Sequence, residues 1–239
     1  MSVWHNIHGL FIPALVAYLI IDYLRHDPVP GVESCAWGFL FVVAGFFLVA
    51  ADSAIKTELL SAAGLVICLP GLSLLFLGAR RTRALLFAWL LAFFMLPVPA
   101  AFVEEFQLLL RRISAVGAGQ ILQFLGFSVF RENTTLYLPH AALVIAEACS
   151  GFATLYATLV GAVLLAYRIP SRRALLLLAA SPCAVACNVI RVALLAMVVN
   201  ARGLDVLDTS LHPISGVLSF AAGMMVLLGL AGRAPKAGA

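Results

Sequence analysis

Three residues with reactive side chains stand out in a very apolar chain. Cys149 lies in "EACSGF", Arg191 in "NVIRV" and His212 in "HPISG". A cysteine thiolate is a strong nucleophile, and a neighbouring imidazole or guanidinium favours that ionised form. An imidazole can carry protons to a leaving amine and from an incoming nucleophile, and a guanidinium can stabilise the oxyanion of a tetrahedral intermediate. Together these residue types suit acyl transfer.

The composition excludes a water-soluble globular protein. Of the 239 residues, 64% are hydrophobic and only 11% are charged, whereas soluble domains have about 25% charged residues. The formal net charge of +4 does not indicate a nucleic-acid partner, because the arginines form short clusters between apolar runs, as topology signals do. Five scattered cysteines do not make a disulfide framework.

The apolar runs predict an all-α polytopic membrane protein with about seven transmembrane helices, since one span needs about 20 mostly apolar residues. The first run lacks the basic leader and cleavage site of a signal peptide, so we expect a retained helix with its N-terminus outside. We expect a single integral-membrane domain, 1–239, with its catalytic half at about 93–231. The predicted spans are 7–24, 35–51, 59–79, 84–100, 148–167, 174–199 and 213–231.

The connection from Ala101 to Ala146 has a different pattern. Its first part, "EEFQLLLRRISAVGAGQILQFLGF", is amphipathic and predicts an extracytoplasmic segment lying in the membrane interface. An eighth span over 106–126 is the alternative. The second part, "FSVFRENTTLYLPHAALVI", is rich in β-branched and aromatic residues around an "ENT" turn. It predicts a short extended hairpin or lip before the catalytic helix.

The arginine distribution predicts which side of the membrane each loop faces. Cys149 then begins an inward-running helix and His212 precedes the last helix, so both lie at the outer surface. This arrangement satisfies the positive-inside rule because the dense basic loops are all cytoplasmic at once, namely 78–84, 167–174 and 232–239.

Arg191 is predicted to lie inside the outward-running helix 174–199, about 12 Å below its outer end. A charge inside a span is costly and marks a functional-site hypothesis by default. Asn188 precedes it by three residues and shares its helical face. There the amide would orient the guanidinium or line a polar cavity around it.

Other chemistries lack their residue patterns. Glu104 and Glu105 are not part of a His-Glu-x-x-His zinc motif, and no Gly-x-Ser-x-Gly elbow occurs. Cys183 and Cys187 have a spacing that could hold a metal, but no histidine accompanies them in that segment. We therefore predict neither a metal nor a cofactor. Cys187, on the same helical face as Arg191, is the alternative nucleophile.

Two rival classes of function remain on the residues alone. A transporter would use Arg191 as an intramembrane anion site, but it leaves Cys149 and His212 without a role. A structural membrane subunit needs none of the three, since a buried cysteine, a helix cap and a helix–helix hydrogen bond would account for them singly. Their convergence at one depth favours an enzyme.

The three motifs, in this order, resemble the exosortase/archaeosortase family of membrane transpeptidases. Further matching stretches are "IHGLFIP", "FFMLPVP" and "LYLPHAALVIAEACSG". The resemblance implies that Cys149 is the nucleophile and that Arg191 and His212 are the family's catalytic arginine and histidine. Gly151 and Ser150 would then permit close approach of a substrate backbone, and Glu147 would position a basic group.

The resemblance also implies a substrate and a location. Members of the family are multi-pass cysteine enzymes of the bacterial inner membrane, and their active site lies on the extracytoplasmic side. They cleave a C-terminal sorting signal that consists of a short motif (Pro-Glu-Pro in bacteria), a transmembrane helix and a basic tail. The expected partners are this signal and membrane lipid. We expect no extra C-terminal soluble domain of the kind that larger relatives have, and this expectation leaves the acceptor of the cleaved protein open.

Overall fold

The computed structural model describes residues 11–26, 34–57, 59–96 and 100–232. The helices in these residues are α1 (Phe11–His26), α2 (Trp37–Ile55), α3 (Leu59–Ala84), α4 (Leu86–Phe93), α5 (Ala100–Phe124), α6 (Phe152–Arg168), α7 (Arg173–Arg202) and α8 (Leu211–Gly232). The strands are β1 (Phe130–Glu132), β2 (Thr135–Tyr137) and β3 (Ala142–Val144). The chain divides into two compact units, Met1–Pro99 and Ala100–Ala239, so the single-domain organisation stays a prediction.

The described residues include five stretches that are helical, long and apolar enough to cross a membrane. This confirms the prediction of a mainly helical, multi-pass membrane protein. α5 is not among the five, so its place in the interface or across the membrane stays a prediction. The five stretches are Trp37–Ile55, Leu59–Ala84, Glu147–Arg168, Pro170–Arg202 and Leu211–Gly232.

The count of seven spans stays a prediction, because two of the expected spans are not among these five stretches of the described residues. The predicted span 7–24 lies partly outside the described residues, and α1 has 16 residues. Most of the described part of the predicted span 84–100 is the eight-residue α4 and the turn that follows it. Residues 97–99 lie outside the described part. Leu91 of α4 is fully buried. An apolar run predicts burial equally well in lipid and in protein. Composition alone therefore did not distinguish a membrane-spanning helix from a short helix buried within the protein.

The first unit contains a closely packed α2–α3 hairpin. Gly38 faces Gly71, and Gly45 faces Gly64. A Cβ atom added to Gly38 or Gly45 would lie 2.5 Å or 2.6 Å from the backbone oxygen of the facing glycine. Small residues allow helices in a membrane to approach this closely. The hairpin therefore requires glycine at these positions for packing.

Asp52 is a buried acid in this hairpin, and its partners identify a structural role. Its carboxylate accepts hydrogen bonds from the backbone N–H groups of Thr57 and Ser61, at 2.9 and 3.1 Å, and from both hydroxyls. The Ser61 N–H belongs to the first turn of α3, where helix N–H groups have no intrahelical partner. Asp52 thus caps α3.

The second unit is organised around α7, which packs against α5, α6 and α8. The buried side of α7 has small side chains at a four-residue spacing, Ala180 and Ala184, followed by Asn188. This spacing keeps them on one helical face, where small residues allow neighbouring helices to pack closely. The same face then carries Arg191, so the packing that buries the alanines also buries the two polar side chains.

The strands form an antiparallel sheet in the order β1-β2-β3. Leu136 of β2 pairs with Leu143 of β3, and both side chains belong to a buried cluster with residues of α5 and α7. This cluster continues through Ile145 to Cys149. The sheet lies in the segment for which an extended hairpin was predicted, and its role as a lip at the membrane surface stays a prediction.

Candidate active site

Cys149 lies at the end of a 3₁₀ turn, Glu147–Cys149, rather than inside the helix that follows. α6 begins at Phe152, whose backbone N–H donates to Ser150 Oγ at 3.3 Å. Gly151 separates the turn from the helix with a φ of +81°, a left-handed conformation that glycine adopts without a steric penalty. This change of direction presents the cysteine at the junction and leaves it 9% exposed.

The structure brings the Cys149 thiol and the His212 imidazole together. Cys149 Sγ lies 2.7 Å from His212 Nε2, although the two residues are 63 positions apart in the chain. His212 is the second residue of α8 and is partly exposed. At this distance Nε2 can accept the thiol proton directly, which is the geometry of an activated cysteine nucleophile.

Arg191 completes the group from the middle of α7. Its Nε donates to Ser215 Oγ at 2.9 Å and its Nη2 to the His212 carbonyl at 3.3 Å. The Ser215 hydroxyl donates to the same carbonyl at 2.7 Å. Among the described residues, no acidic side chain lies within ion-pair distance of this guanidinium. Arg191 is 7% exposed, so a buried cation stands beside the cysteine–histidine pair, and the described part of the chain offers it no neutralising carboxylate.

The distance of Arg191 from the end of α7 differs from the prediction because α7 is longer than expected. The helix ends at Arg202, which places Arg191 about 16 Å from that end at 1.5 Å per residue. The predicted helix ended at residue 199 and gave about 12 Å.

Asn188 contacts the nucleophile turn instead of the guanidinium. Its Nδ2 donates to the backbone carbonyls of Cys149 and Ser150, both at 3.2 Å, and to Ser114 Oγ of α5 at 2.9 Å. The side chain is 2% exposed. The amide therefore ties the backbone at the nucleophile to both α5 and α7. Of the two roles predicted for Asn188, orienting the guanidinium is replaced by these contacts, because the amide and the guanidinium point to different neighbours of α7.

Gly151 and Ser150 face the interior of the protein. A Cβ atom at Gly151 would lie 2.5 Å from Asn188 Cγ, and Ser150 is 3% exposed. The close approach that was predicted for a substrate backbone is thus made by Asn188. Glu147 has an exposed side chain, and its role in holding a basic group stays a prediction.

This packing predicts the effect of Gly151→Ala. We expect loss of most of the Cys149 reactivity, because the new methyl group displaces the Asn188 amide and alanine is also strained at a positive φ. The measurement is the rate at which a small alkylating reagent modifies Cys149 in the membrane fraction.

Gly126→Ala is the matched control. Gly126 also has a positive φ, +87°, but an added Cβ there has no neighbour within 4 Å. We expect this variant to react at close to the wild-type rate. If Cys149 is alkylated at the same rate in Gly151→Ala and in Gly126→Ala, the contact between Gly151 and Asn188 does not hold the nucleophile in position.

Two cavities adjoin the site. One, of about 240 Å³, has Cys149 and His212 in its wall, together with residues of β3, α7 and the 3₁₀ turn Leu204–Asp208. The other, of about 420 Å³, is an apolar groove between α7 and α8, and Arg191, Ser215 and Cys187 line it. Cys187, the alternative nucleophile, therefore lies in the groove, while the thiol beside the imidazole belongs to Cys149.

Sequence reasoning missed two residues of the site, Ser114 and Ser215. Ser215 follows His212 by three residues in α8, a spacing that places both on one helical face, so "HPISG" contained a usable signal. Ser114 is a lone serine in an amphipathic segment. Nothing local distinguishes it, because its partner Asn188 is 74 positions away.

Comparison with known proteins gives the chain its family. A family model described as transmembrane exosortase matches residues 3–229, a range that contains every residue of the site. No match was found among the curated proteins, and none among the solved structures. Because the family match extends over nearly the whole chain, this protein belongs to the transmembrane exosortase family.

Proposed function

We propose that the chain is a membrane cysteine transpeptidase that cleaves C-terminal sorting signals and transfers the cleaved protein to an acceptor. The observation that carries the proposal is the 2.7 Å approach of Cys149 Sγ to His212 Nε2 in a chain of the transmembrane exosortase family. The buried Arg191 beside this pair supports the same chemistry. A transporter would leave the thiol–imidazole contact without a purpose.

The reaction begins when Cys149 Sγ attacks the carbonyl carbon of the scissile peptide bond. The thiol proton passes to His212 Nε2, and the carbonyl oxygen becomes a tetrahedral oxyanion. When the C–N bond breaks, His212 returns the proton to the leaving amine, and a thioester on Cys149 remains. An acceptor, which is water or another nucleophile, then loses a proton to His212 and attacks the thioester. The C–S bond then breaks, and the leaving thiolate of Cys149 takes the proton back from His212, which restores the starting thiol and imidazole.

The oxyanion requires a donor, and two backbone N–H groups at the nucleophile are already occupied. The N–H of Cys149 donates to Ala146 O at 2.9 Å, and that of Ser150 donates to Glu147 O at 3.0 Å. Two backbone donors of this kind form the oxyanion hole in many acyl-transfer enzymes. With these two engaged, the guanidinium of Arg191 is the nearby cationic donor. We assign it the stabilisation of the oxyanion.

The proposal places the reaction on the extracytoplasmic side of a bacterial inner membrane, because the dense arginine loops favour a cytoplasmic C-terminal tail. A phosphatase that is active only outside the cytoplasm, fused after Lys236, is expected to stay inactive. A fusion inserted after Asp205, in the turn before α8, is expected to be active. The reverse pattern would overturn the proposed orientation of the site.

The substrate side of the proposal can be tested by co-expression. A tagged protein that carries a short Pro-Glu-Pro motif, a hydrophobic helix and a basic tail is expected to be shortened when the enzyme is present. The matched substrate with Ala-Ala-Ala in place of the motif is expected to stay full-length. If both stay full-length in membranes that contain the folded enzyme, the proposed signal is wrong. The readout is the size of the tagged product on a gel.

A further inference from the structure

β3 connects the sheet to the nucleophile and has one free edge. The strand ends at Val144, and the 3₁₀ turn that contains Cys149 begins three residues later. β2 occupies one side of β3, and among the described residues no strand occupies the other. Val144 is 62% exposed. The strand with the free edge is therefore followed in the chain, within three residues, by the turn that contains the thiol.

The register shows which backbone groups point to this edge. Leu138 N–H donates to Ala141 O, and Ile145 N–H donates to Thr134 O. Successive residues of a strand direct their N–H and C=O groups to alternate sides. With Ala141 and Ile145 bonded to β2, the backbone N–H and C=O of Val144 point away from it.

The cavity of about 240 Å³ borders the same strand. Its wall includes Val144 and Ala146, Val192 and Leu195 of α7, and Cys149. Except for the imidazole of His212 and the thiol, the side chains in this wall are apolar. An extended peptide that pairs with β3 would thus have one side chain over an apolar cavity and its backbone close to the nucleophile.

We propose that the free edge of β3 is the peptide-binding subsite of the enzyme. The substrate segment next to the cleaved bond binds there as an added strand, and the backbone N–H and C=O of Val144 exchange hydrogen bonds with it. Main-chain pairing of this kind supplies affinity, and neighbouring pockets supply specificity. The inference rests on the proposed function, because it names where the sorting signal lies relative to Cys149. It implies that the signal is recognised in an extended conformation.

Val144→Pro removes the one N–H that the subsite contributes at this position. Proline is tolerated on an edge strand where the lost N–H faces outward. Val144→Thr keeps both the N–H and the β-branched shape. A lost backbone hydrogen bond that leaves its partner unsatisfied typically weakens binding by about tenfold or more. We therefore expect Val144→Pro to lower kcat/KM by about tenfold or more, and Val144→Thr to change it by about twofold at most.

The opposite edge of the sheet provides the matched control. In β2, the backbone N–H and C=O groups of Thr135 and Tyr137 point toward β1, where these residues pair with Glu132 and Phe130. By the same alternation, Arg131 directs its N–H away from the sheet. Arg131→Pro therefore removes an outward N–H at the edge that does not border the cavity. We expect a kcat/KM close to that of the wild type.

Photo-crosslinking gives a second measurement that does not depend on the folding of the proline variant. A photoreactive amino acid at position 144 is expected to capture the sorting-signal substrate in Cys149→Ala enzyme. The same amino acid at position 130 of β1, where Phe130 is similarly exposed at 67%, is expected to capture none.

These outcomes separate the subsite from the function itself. Wild-type enzyme that cleaves the signal, combined with an unimpaired Val144→Pro or with equal capture at positions 130 and 144, would overturn the subsite alone. Wild-type enzyme that does not cleave the signal would overturn the proposed function first, and the subsite with it.

Discussion

Cys149→Ala is expected to abolish cleavage of the sorting-signal substrate while the protein still accumulates in the membrane. Removing the nucleophile of a cysteine–histidine pair eliminates the acyl-enzyme route, and the loss of a comparable serine nucleophile lowers kcat by roughly 10⁶-fold. Cys149→Ser is expected to be nearly as inactive, because a hydroxyl is a far weaker nucleophile than a thiolate at neutral pH. The measurement is the initial cleavage rate per folded enzyme.

Cys187→Ala is the control for this loss. Cys187 lines the groove between α7 and α8 and is a free thiol close to Arg191 in sequence, yet the imidazole lies beside Cys149. The Cys187 variant is expected to cleave at a rate within about twofold of the wild type. An inactive Cys187→Ala together with an active Cys149→Ala would move the nucleophile to α7 and remove the mechanism proposed above.

Arg191→Lys is expected to lower the cleavage rate by about 10² to 10³, the usual cost of one oxyanion-hole donor. The arginine already donates to Ser215 and to the His212 carbonyl, and its planar fork has five N–H donors in fixed directions. A lysine ammonium cannot keep these two bonds and also reach an oxyanion with the same geometry. Arg191→Ala is expected to be slower still.

A purely structural arginine would give a different pattern. Arg191→Lys would then cleave normally, and Arg191→Ala would reduce the amount of folded protein instead of the rate per molecule. The rate must therefore be normalised to the fraction of Cys149 that a small alkylating reagent can still modify. Ser215→Ala is a useful comparison, because it removes one anchor of the guanidinium and keeps the charge. We expect a smaller loss of rate from it than from Arg191→Lys.

The residues of the candidate site could be selected from the sequence, because their chemistry is unusual in an apolar chain. Arg191 could be selected because a charged side chain inside a transmembrane helix is costly and usually functional. The order of the three motifs indicated the family. The thiol–imidazole contact, however, joins residues 63 positions apart. The sequence predicted only that Cys149 and His212 lie at one membrane surface, since no local pattern encodes a distance across the bundle.

Asn188 shows why the supporting contacts were harder to predict. Helical spacing correctly placed it on the same side of α7 as Arg191, but an amide can donate to any acceptor within reach. The acceptors that it meets belong to Ser114 of α5 and to the backbone at Cys149, so its role depends on how three segments pack. The short α4 is a similar case, because hydrophobicity does not distinguish lipid from a protein interior.

The most direct test of the central claim is the detection of a thioester on Cys149. Purified enzyme is incubated with a substrate labelled upstream of the cleaved bond and is quenched rapidly at low pH. We expect labelled enzyme whose mass has increased by that of the upstream fragment. The label is expected on the peptide that contains Cys149, and hydroxylamine is expected to release it. Cleavage that proceeds at the full rate in Cys149→Ala enzyme, with no such adduct in the wild type, would contradict the central claim.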